Sequence, residues 1–144
     1  MAEPLEAFRH RLQRHKQSVT TPRLTIFSTL QTHGPLTMHE LVDYCGPSVD
    51  RASIYRSIKL FEQLGIIQRL QIGWKYRIEL SSDFQNHHHH MHCVSCGRVT
   101  AIPEDPLLED RLHELSKSLH FEAQDHQIEI RGLCRSCQPD SQSN

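Results

Sequence analysis

The 144-residue sequence predicts an α+β chain, with an N-terminal winged helix-turn-helix domain followed by a small α/β domain. Three observations predict this division. Residues 1–80 carry apolar residues at helical spacing and end in a hairpin pattern, whereas residues 87–137 mix strand and helix patterns around clustered His and Cys. Charge divides in the same place, because residues 1–80 hold 11 Lys+Arg and 7 Asp+Glu and residues 81–144 hold 5 and 10. A basic first half suits a polyanionic partner.

Helical signals open the first domain, residues 1–80. Its first helix is predicted by three apolar residues that recur on one face: Leu5, Phe8 and Leu12. A second helix is expected to begin at Pro22. The stretch Thr37–Glu40 has the form of a capping box, which begins a third helix.

The fourth helix and the strands after it identify the fold. Asp50 is a good N-cap, an apolar face continues to Leu64, and Gly65 ends the helix. Residues 66–80 then alternate apolar and polar on either side of Gly73-Trp74, which predicts two strands joined by a tight turn. Helices followed by a hairpin form a winged helix-turn-helix, so we expect residues 1–80 to bind DNA.

The second domain begins after a polar break. Residues 81–86 are predicted to be a hinge, and residues 87–137 a metal-binding domain. Within it we expect a short histidine-bearing strand, a helix from about Pro106 and a last strand over Phe121–Arg131. Residues 138–144 are polar and predicted to be disordered.

Four cysteines form two matched knuckles at the ends of the second domain. Cys93 and Cys96 form the first, and Cys134 and Cys137 the second. Two Cys-x-x-Cys knuckles supply the four thiolates of a tetrahedral structural zinc site. The alternatives are disulfides, or free thiols whose spacing matches by chance. A chain without a signal-peptide pattern or an apolar run of about 18 residues is expected in the cytoplasm, where disulfides are disfavoured. Cys45 is expected to be a small buried residue.

Five histidines lie immediately before the first knuckle. In an extended segment, alternate side chains face opposite sides. One side would carry His88, His90 and His92, and the other His87 and His89. One segment could therefore serve two metal sites, completed by ligands elsewhere in the chain; the candidates are Glu109, His126 and Glu79. The alternative is an exposed histidine-rich loop with loose, unspecific metal affinity.

Taken together, "VTTPRLTIFSTL", "ASIYRSIKLFEQLGI", "HHHHMHCVSCGRV" and "CRSC" resemble the ferric uptake regulator family of metal-sensing repressors. The resemblance runs from about Val19 to Cys137. It implies a homodimer in which the winged-helix domain binds palindromic double-stranded operator DNA and residues 87–137 form the dimerisation domain. It also implies one structural zinc per chain and a further regulatory divalent metal.

The resemblance assigns roles to particular residues. It places the structural zinc on Cys93, Cys96, Cys134 and Cys137. It places a regulatory metal, Zn²⁺ or Fe²⁺, on His87, His89, Glu109 and His126. A second regulatory site at the hinge falls on Glu79, His88 and His90, with His33 as a further candidate. DNA contacts are expected from the start of the fourth helix, at Arg51, Ser53, Tyr55, Arg56 and Lys59.

A histidine-heavy ligand set favours zinc sensing, with an iron(II)-responsive regulator of the same family as the alternative. A metal storage or metallochaperone protein is an alternative of a different class, but that function does not explain why the chain has a winged-helix domain. An enzyme is not expected, because the sequence has no His-Glu-x-x-His or comparable catalytic pattern. No membrane association or small-molecule substrate is expected either.

Overall fold

The computed structural model describes residues 3–139, in two compact units, of which the first ends at Asn86 and the second begins at His87. The described part of the first unit contains four α-helices and two strands: α1 Pro4–Arg14, α2 Thr21–His33, α3 Met38–Cys45, α4 Arg51–Gln63, β1 Ile67–Ile72 and β2 Lys75–Leu80. That of the second contains three strands and one α-helix: β3 His88–Cys93, β4 Val99–Pro103, α5 Pro106–Ser118 and β5 Glu129–Gly132. Each described part also has one short 3-10 helix, at Gly46–Ser48 and at Arg135–Cys137. The mixed α+β fold class is confirmed. No helix among the described residues has both the length and the apolar character to span a bilayer.

Side chains cap the helices of the first unit where the sequence predicts. The Thr37 hydroxyl accepts a hydrogen bond from the Glu40 amide at 3.2 Å, and Glu40 accepts one from the Thr37 amide at 2.7 Å. This reciprocal capping box satisfies two of the amides that a helix start leaves unpaired. At the start of α4, Asp50 accepts a hydrogen bond from the Ser53 amide at 2.9 Å. Both helix starts are therefore fixed by local sequence.

Aromatic rings form the centre of the first unit's core. Phe8 of α1 stacks on Phe27 of α2 with ring centroids 4.3 Å apart, and meets the edge of Phe61 of α4 at 5.3 Å. Phe84 meets Phe27 edge-on at 5.8 Å. Segment 81–86, predicted as the hinge, thus contributes a buried ring to this core.

The β1–β2 hairpin pairs antiparallel from Ile67 opposite Leu80 to Ile72 opposite Lys75. Two ion pairs fix it to the helices. Arg69 binds the carboxylate of Glu62 through Nε and Nη2, at 2.7 and 3.1 Å, and Arg77 binds Glu40 at 2.8 Å. The hairpin is therefore held against α3 and α4 by polar contacts as well as by its buried face.

The second unit is a three-stranded sheet in the order β4-β3-β5, with β3 antiparallel to β4 and parallel to β5. The sequence predicted the central histidine strand but not β4, whose five residues are too few for a clear alternating pattern. The prediction of a strand over Phe121–Arg131 was wrong in extent. Only Glu129–Gly132 forms a strand, because these four residues are the ones that pair with β3, from His90 to Cys93. Residues 140–144 of the predicted tail lie outside the described residues.

Helix α5 begins at Pro106, as predicted, but none of its residues is buried within the chain. Several apolar side chains of the second unit stay exposed: Met91, Val94, Leu107, Leu108, Leu115, Leu119, Phe121, Ile130 and Leu133. Such an extensive apolar surface is typical of a face that a partner chain covers.

Candidate metal centres and nucleic-acid interface

The four cysteines predicted to bind zinc lie together in the second unit. One sulfur from each falls within 4.8 Å of the others, and the Sγ atoms of Cys96 and Cys134 are 3.7 Å apart. Zinc–sulfur bonds of about 2.3 Å in a tetrahedron separate the sulfurs by about 3.8 Å. The first knuckle begins at Cys93, the last residue of β3, and the second follows β5, so pairing of these two strands brings the knuckles together.

The environment of the sulfurs suits a thiolate cluster. The Cys134 amide donates a hydrogen bond to Cys93 Sγ at 3.3 Å, and this bond together with the Cys96 amide lowers the pKa of the Cys93 thiol to about 5. A hydrogen bond with Ser95 lowers the pKa of Cys137, but the neighbouring cysteines outweigh it and raise that pKa to about 11. The Cys93 thiol therefore ionises easily, whereas each further thiolate in the cluster would be repelled by the negative charge already there. A divalent cation relieves that repulsion, so the donor set fits structural zinc.

Ser95 is a residue of this site that the sequence analysis did not single out. It lies between the two cysteines of the first knuckle, and its side chain lowers the pKa of the Cys137 thiol in the second knuckle. Its place inside a Cys-x-x-Cys motif was the available signal, because residues next to metal ligands often hydrogen-bond to them. Cys45 lies apart, buried in the first unit, where burial raises the pKa of its thiol.

A second cluster combines three imidazoles with one carboxylate. His89 Nε2 lies 2.8 Å from Glu109 Oε1, and His126 Nε2 lies 3.0 Å from Glu109 Oε2. His87 Nε2 lies 3.2 Å from His126 Nε2 and 3.5 Å from Glu109 Oε1. Donors about 2.05 Å from a tetrahedral zinc would be about 3.3 Å apart. The four donors predicted from sequence therefore come together at the spacing that a small divalent cation requires; we name them the three-histidine cluster.

Strand geometry explains how this cluster forms. His87 precedes β3 and His89 lies in it, so alternation places both rings on one side, with centroids 4.7 Å apart. Glu109 comes from the first turn of α5, and His126 from the irregular segment before β5. Burial alone would raise the pKa of Glu109, but the hydrogen bond with His89 and the charges of His126 and His87 lower it instead. The carboxylate is therefore kept ionised, as a metal ligand must be.

The residues predicted for the hinge site are divided between the two units. Glu79 and His33 belong to the first unit, and His88 and His90 belong to the second. Glu79 lies on β2, where it accepts a hydrogen bond from Gln68 Nε2 at 2.7 Å. His88 and His90 lie on β3, on the side opposite His89, with ring centroids 4.8 Å apart. His33 ends α2, and its ring stacks on Tyr44 at 4.2 Å, so it is engaged within the helical unit.

The residues predicted to contact DNA lie on the outer face of α4. Its inner face is buried through Ile54, Ser57, Ile58 and Phe61. The outer face carries Arg51, Tyr55, Arg56 and Lys59, with Ser53 half-buried beside them. The Arg51 guanidinium lies 5.9 Å from the centroid of the Tyr55 ring, and Arg56 Nη2 donates to Ser53 Oγ at 3.1 Å. A polar, basic and partly aromatic helix face suits insertion into a DNA groove.

A winged helix-turn-helix unit, joined to a unit that gathers thiols and imidazoles, defines a metal-responsive DNA-binding regulator. Comparison with known proteins agrees. The sequence model of the Ferric uptake regulator family matches residues 15–131, and the chain is 35% identical over 129 residues to the ferric uptake regulation protein of Neisseria meningitidis serogroup A, covering 83% of this chain and 85% of that one. The chain therefore belongs to the ferric uptake regulator family, whose members are metal-dependent, dimeric transcription regulators that bind DNA, and not enzymes.

Solved structures share the fold. The Helicobacter pylori ferric uptake regulator superposes with a TM-score of 0.77 at 23% identity, covering 96% of this chain and 93% of that one. A zinc uptake regulator complexed with zinc and DNA superposes with a TM-score of 0.59 at 21% identity, covering 92% and 91%. Regulators of iron and of zinc uptake therefore have this same architecture, which does not by itself select the metal.

Proposed function

We propose that this chain is a zinc-responsive transcriptional repressor that controls metal homeostasis in the cytoplasm. The three-histidine cluster is the observation that carries the choice of metal. Three imidazoles and one carboxylate form a nitrogen-rich, four-donor set of the kind that zinc occupies, whereas an iron-centred site favours more carboxylates. Iron(II) also binds imidazole, so an iron-responsive regulator is the alternative that the experiment below must separate from zinc sensing.

The two clusters of the second unit have different roles in this proposal. Zinc on Cys93, Cys96, Cys134 and Cys137 is structural, because the two knuckles join the ends of β3 and β5 in a unit that has little buried apolar surface of its own. Metal on His87, His89, Glu109 and His126 is regulatory. Its ligands come from three separate segments, so loading it orders the start of β3, α5 and the segment before β5 together. The hinge ligands Glu79, His88, His90 and His33 stay a prediction from sequence.

DNA recognition is assigned to α4. Arg56 has the guanidinium fork that binds guanine, and Tyr55 can reach a thymine methyl or a phosphate. Arg51 and Lys59 neutralise phosphates, while Ser53 contacts the backbone near the helix start. In a homodimer two such helices read the half-sites of a palindrome, about one helical turn or 34–36 Å apart.

Metal control follows from this geometry. Residues 1–80 bind DNA, residues 81–86 are the hinge, and residues 87–137 bind metal and dimerise. Metal that orders the dimerisation domain restricts the relative placement of the two recognition helices, and only one placement fits two half-sites. The coupling is reciprocal, so DNA should tighten metal binding by the same factor.

The test begins with a duplex selected from a random pool by the zinc-loaded chain. Its affinity is then measured by fluorescence anisotropy at buffered free concentrations of zinc, iron(II) and manganese. We expect zinc, within the cellular free range, to tighten binding about 5–150-fold. Equal affinity with and without metal rejects the proposal, and a response to iron(II) alone replaces zinc with iron.

Matched variants test the DNA-contacting face. Arg56→Ala should weaken binding to the selected duplex about 10–100-fold, with a smaller loss on a scrambled duplex. Arg111→Ala removes the same charge from an exposed helix position in the second unit and should have little effect. Equal losses in the two variants would argue against base reading by α4.

A further inference from the structure

Segment 81–86, predicted as the hinge, is fastened to the first unit along most of its length. The Ser81 hydroxyl donates a hydrogen bond to the Gly65 carbonyl at 2.7 Å. The Gln85 side-chain amide donates one to the Leu80 carbonyl. Because these partners all belong to the first unit, the segment moves with that unit as far as Gln85.

Arg11 of α1 holds the middle of this segment. Its Nη2 donates to Asp83 Oδ2 at 2.6 Å, and its guanidinium carbon lies 5.2 Å from the centroid of the buried Phe84 ring. The other terminal nitrogen, Nη1, donates to the carbonyl of Leu64, just after α4, at 2.9 Å. One guanidinium therefore joins α1, the end of α4 and the segment.

The geometry of Arg11 matters more here than the strength of any one contact. Asp83 is 60% exposed, so the ion pair by itself adds little to stability. The planar guanidinium, however, presents several donors in fixed directions, so it can bind two acceptors at once and still lie against an aromatic ring. A residue with these contacts fixes the position of the segment without being needed for the unit to fold.

The fastened segment ends beside a metal ligand. The first unit ends at Asn86 and the second begins at His87, and only Asn86 separates His87 from Gln85. His87 is a donor of the three-histidine cluster, 3.2 Å from His126 and 3.5 Å from Glu109. A linker of one residue spans at most about 7 Å, so it leaves far less freedom than an unfastened segment would.

We propose that Arg11 is the positioning residue that couples metal binding at His87 to the orientation of the DNA-binding unit. It keeps the segment attached up to Gln85, so the pivot between the units is confined to the bonds around Asn86. Without Arg11 the linker lengthens towards the whole of segment 81–86, and metal can order the second unit without orienting the first. This inference rests on the proposed metal-responsive DNA binding and adds the residue that couples its two parts.

Hydrogen exchange of the full-length protein locates the pivot directly. In the wild type we expect the amides of residues 81–85 to be protected both with zinc and after dialysis against a weak chelator. Zinc should slow exchange only from Asn86 onwards, by about tenfold. In Arg11→Ala, exchange of residues 81–85 should become about fivefold faster or more. Free exchange of residues 81–85 in the metal-free wild type would overturn the inference.

Operator binding separates positioning from charge. Arg11→Ala should keep the zinc content of the wild type but reduce the zinc-induced tightening of operator binding at least threefold. Arg9→Ala removes the same charge from an exposed position of α1. The two variants should therefore bind DNA equally in the absence of regulatory metal, and only Arg11→Ala should lose coupling. Arg11→Lys, which keeps the charge and one donor, should restore part of it.

A full zinc response in Arg11→Ala would overturn the inference and leave the proposed function standing. A wild type without any metal response would overturn both. If Arg11→Ala loses the helical circular dichroism of the first unit, Asp83→Asn decides the question, because it weakens the contact to the segment and leaves the bond to Leu64 in place. Asp83→Asn should then show faster exchange of residues 81–85 and a reduced zinc response, and wild-type behaviour in both would overturn the inference.

Discussion

The buried imidazole of His89 and the carboxylate of Glu109 meet at 2.8 Å, Nε2 to Oε1, and this contact is the centre of the three-histidine cluster. His89 is 1% exposed, and its Nδ1 has no hydrogen-bond partner in the part of the chain that the structure describes. Burying an unpaired polar nitrogen costs about 1–3 kcal/mol. That cost falls on Nδ1, and it leaves Nε2, with the Glu109 carboxylate beside it, as the nitrogen of His89 that would bind a metal.

Glu109→Gln tests this site with little change of shape. We expect zinc affinity at the three-histidine cluster to fall about 100-fold or more, because the neutral amide is a poor ligand. Zinc bound after dialysis against a weak chelator, measured by mass spectrometry of the metal, should drop by one ion per chain, and the operator response should disappear. Glu114→Gln is the control, since Glu114 lies on the same helix and, among residues 3–139, forms its ion pair only with Arg111 at the surface. Unchanged metal content in Glu109→Gln would contradict the assignment.

Loss of the structural zinc should affect one unit more than the other. Cys96→Ala removes a ligand whose sulfur lies 3.7 Å from Cys134, so we expect one zinc fewer per chain, loss of the dimer and loss of the second unit's unfolding transition. The first unit should keep its helical circular dichroism, because its core contains none of the four zinc cysteines. Cys45→Ala, in that core, should keep all its zinc. Full zinc content in Cys96→Ala would refute the four-sulfur site.

Glu40 gives the first unit a pH dependence. Burial would raise the pKa of its carboxyl, but hydrogen bonds from Thr37 and the charge of Arg77 outweigh it, so the pKa lies below the ordinary value. The stabilisation is therefore complete above the unfolded pKa of about 4.3 and is lost as pH falls through the lower folded value. The Glu40 side chain is 40% exposed, so solvent screening limits the effect to about 0.5–1 kcal/mol.

Urea unfolding of wild type and Glu40→Gln at several pH values measures this effect. Gln preserves the capping geometry but not the charge, so the variant should be less stable at pH 6, and the difference should shrink towards pH 3. Glu62→Gln, which removes the ion pair to Arg69 without touching a cap, is the matched comparison. A difference that is constant with pH would show that ionisation of Glu40 is not the cause.

The exposed apolar surface of the second unit should be required for dimerisation. Leu119, at the end of α5, is 76% exposed, and nearby Phe121 is 67% exposed. Leu119→Glu places a charge on this surface, so sedimentation should show a shift from dimer to monomer and a matching loss of operator affinity. Tyr44→Glu adds the same charge at an exposed aromatic residue of the first unit and should leave the dimer intact. Dimers that persist in Leu119→Glu would place the interface elsewhere.

Local signals predicted most of the first unit. The Thr37–Glu40 capping box, the Asp50 cap and the hairpin turn at Gly73 all act between residues close in sequence, so they could be found without the fold. The short strand β4 and the late start of β5 could not, because each depends on which part of β3 remains available for pairing. The packing of Phe84 into the helical core could not be predicted either, because the residues around Phe84 in sequence are polar.

By itself, the sequence determined which donors this protein brings to a metal: the number and spacing of its cysteines, and the alternation that sends His87 and His89 to one side of a strand. Only the tertiary structure decided which partners those donors meet. Glu109 and His126 reach His89 because α5 and the segment before β5 converge on the same side of β3, and Cys134 reaches Cys96 because β5 runs parallel to β3. The physical reason is that donor chemistry is a property of single residues, whereas a coordination shell requires atoms about 3 Å apart that chain folding alone can bring together.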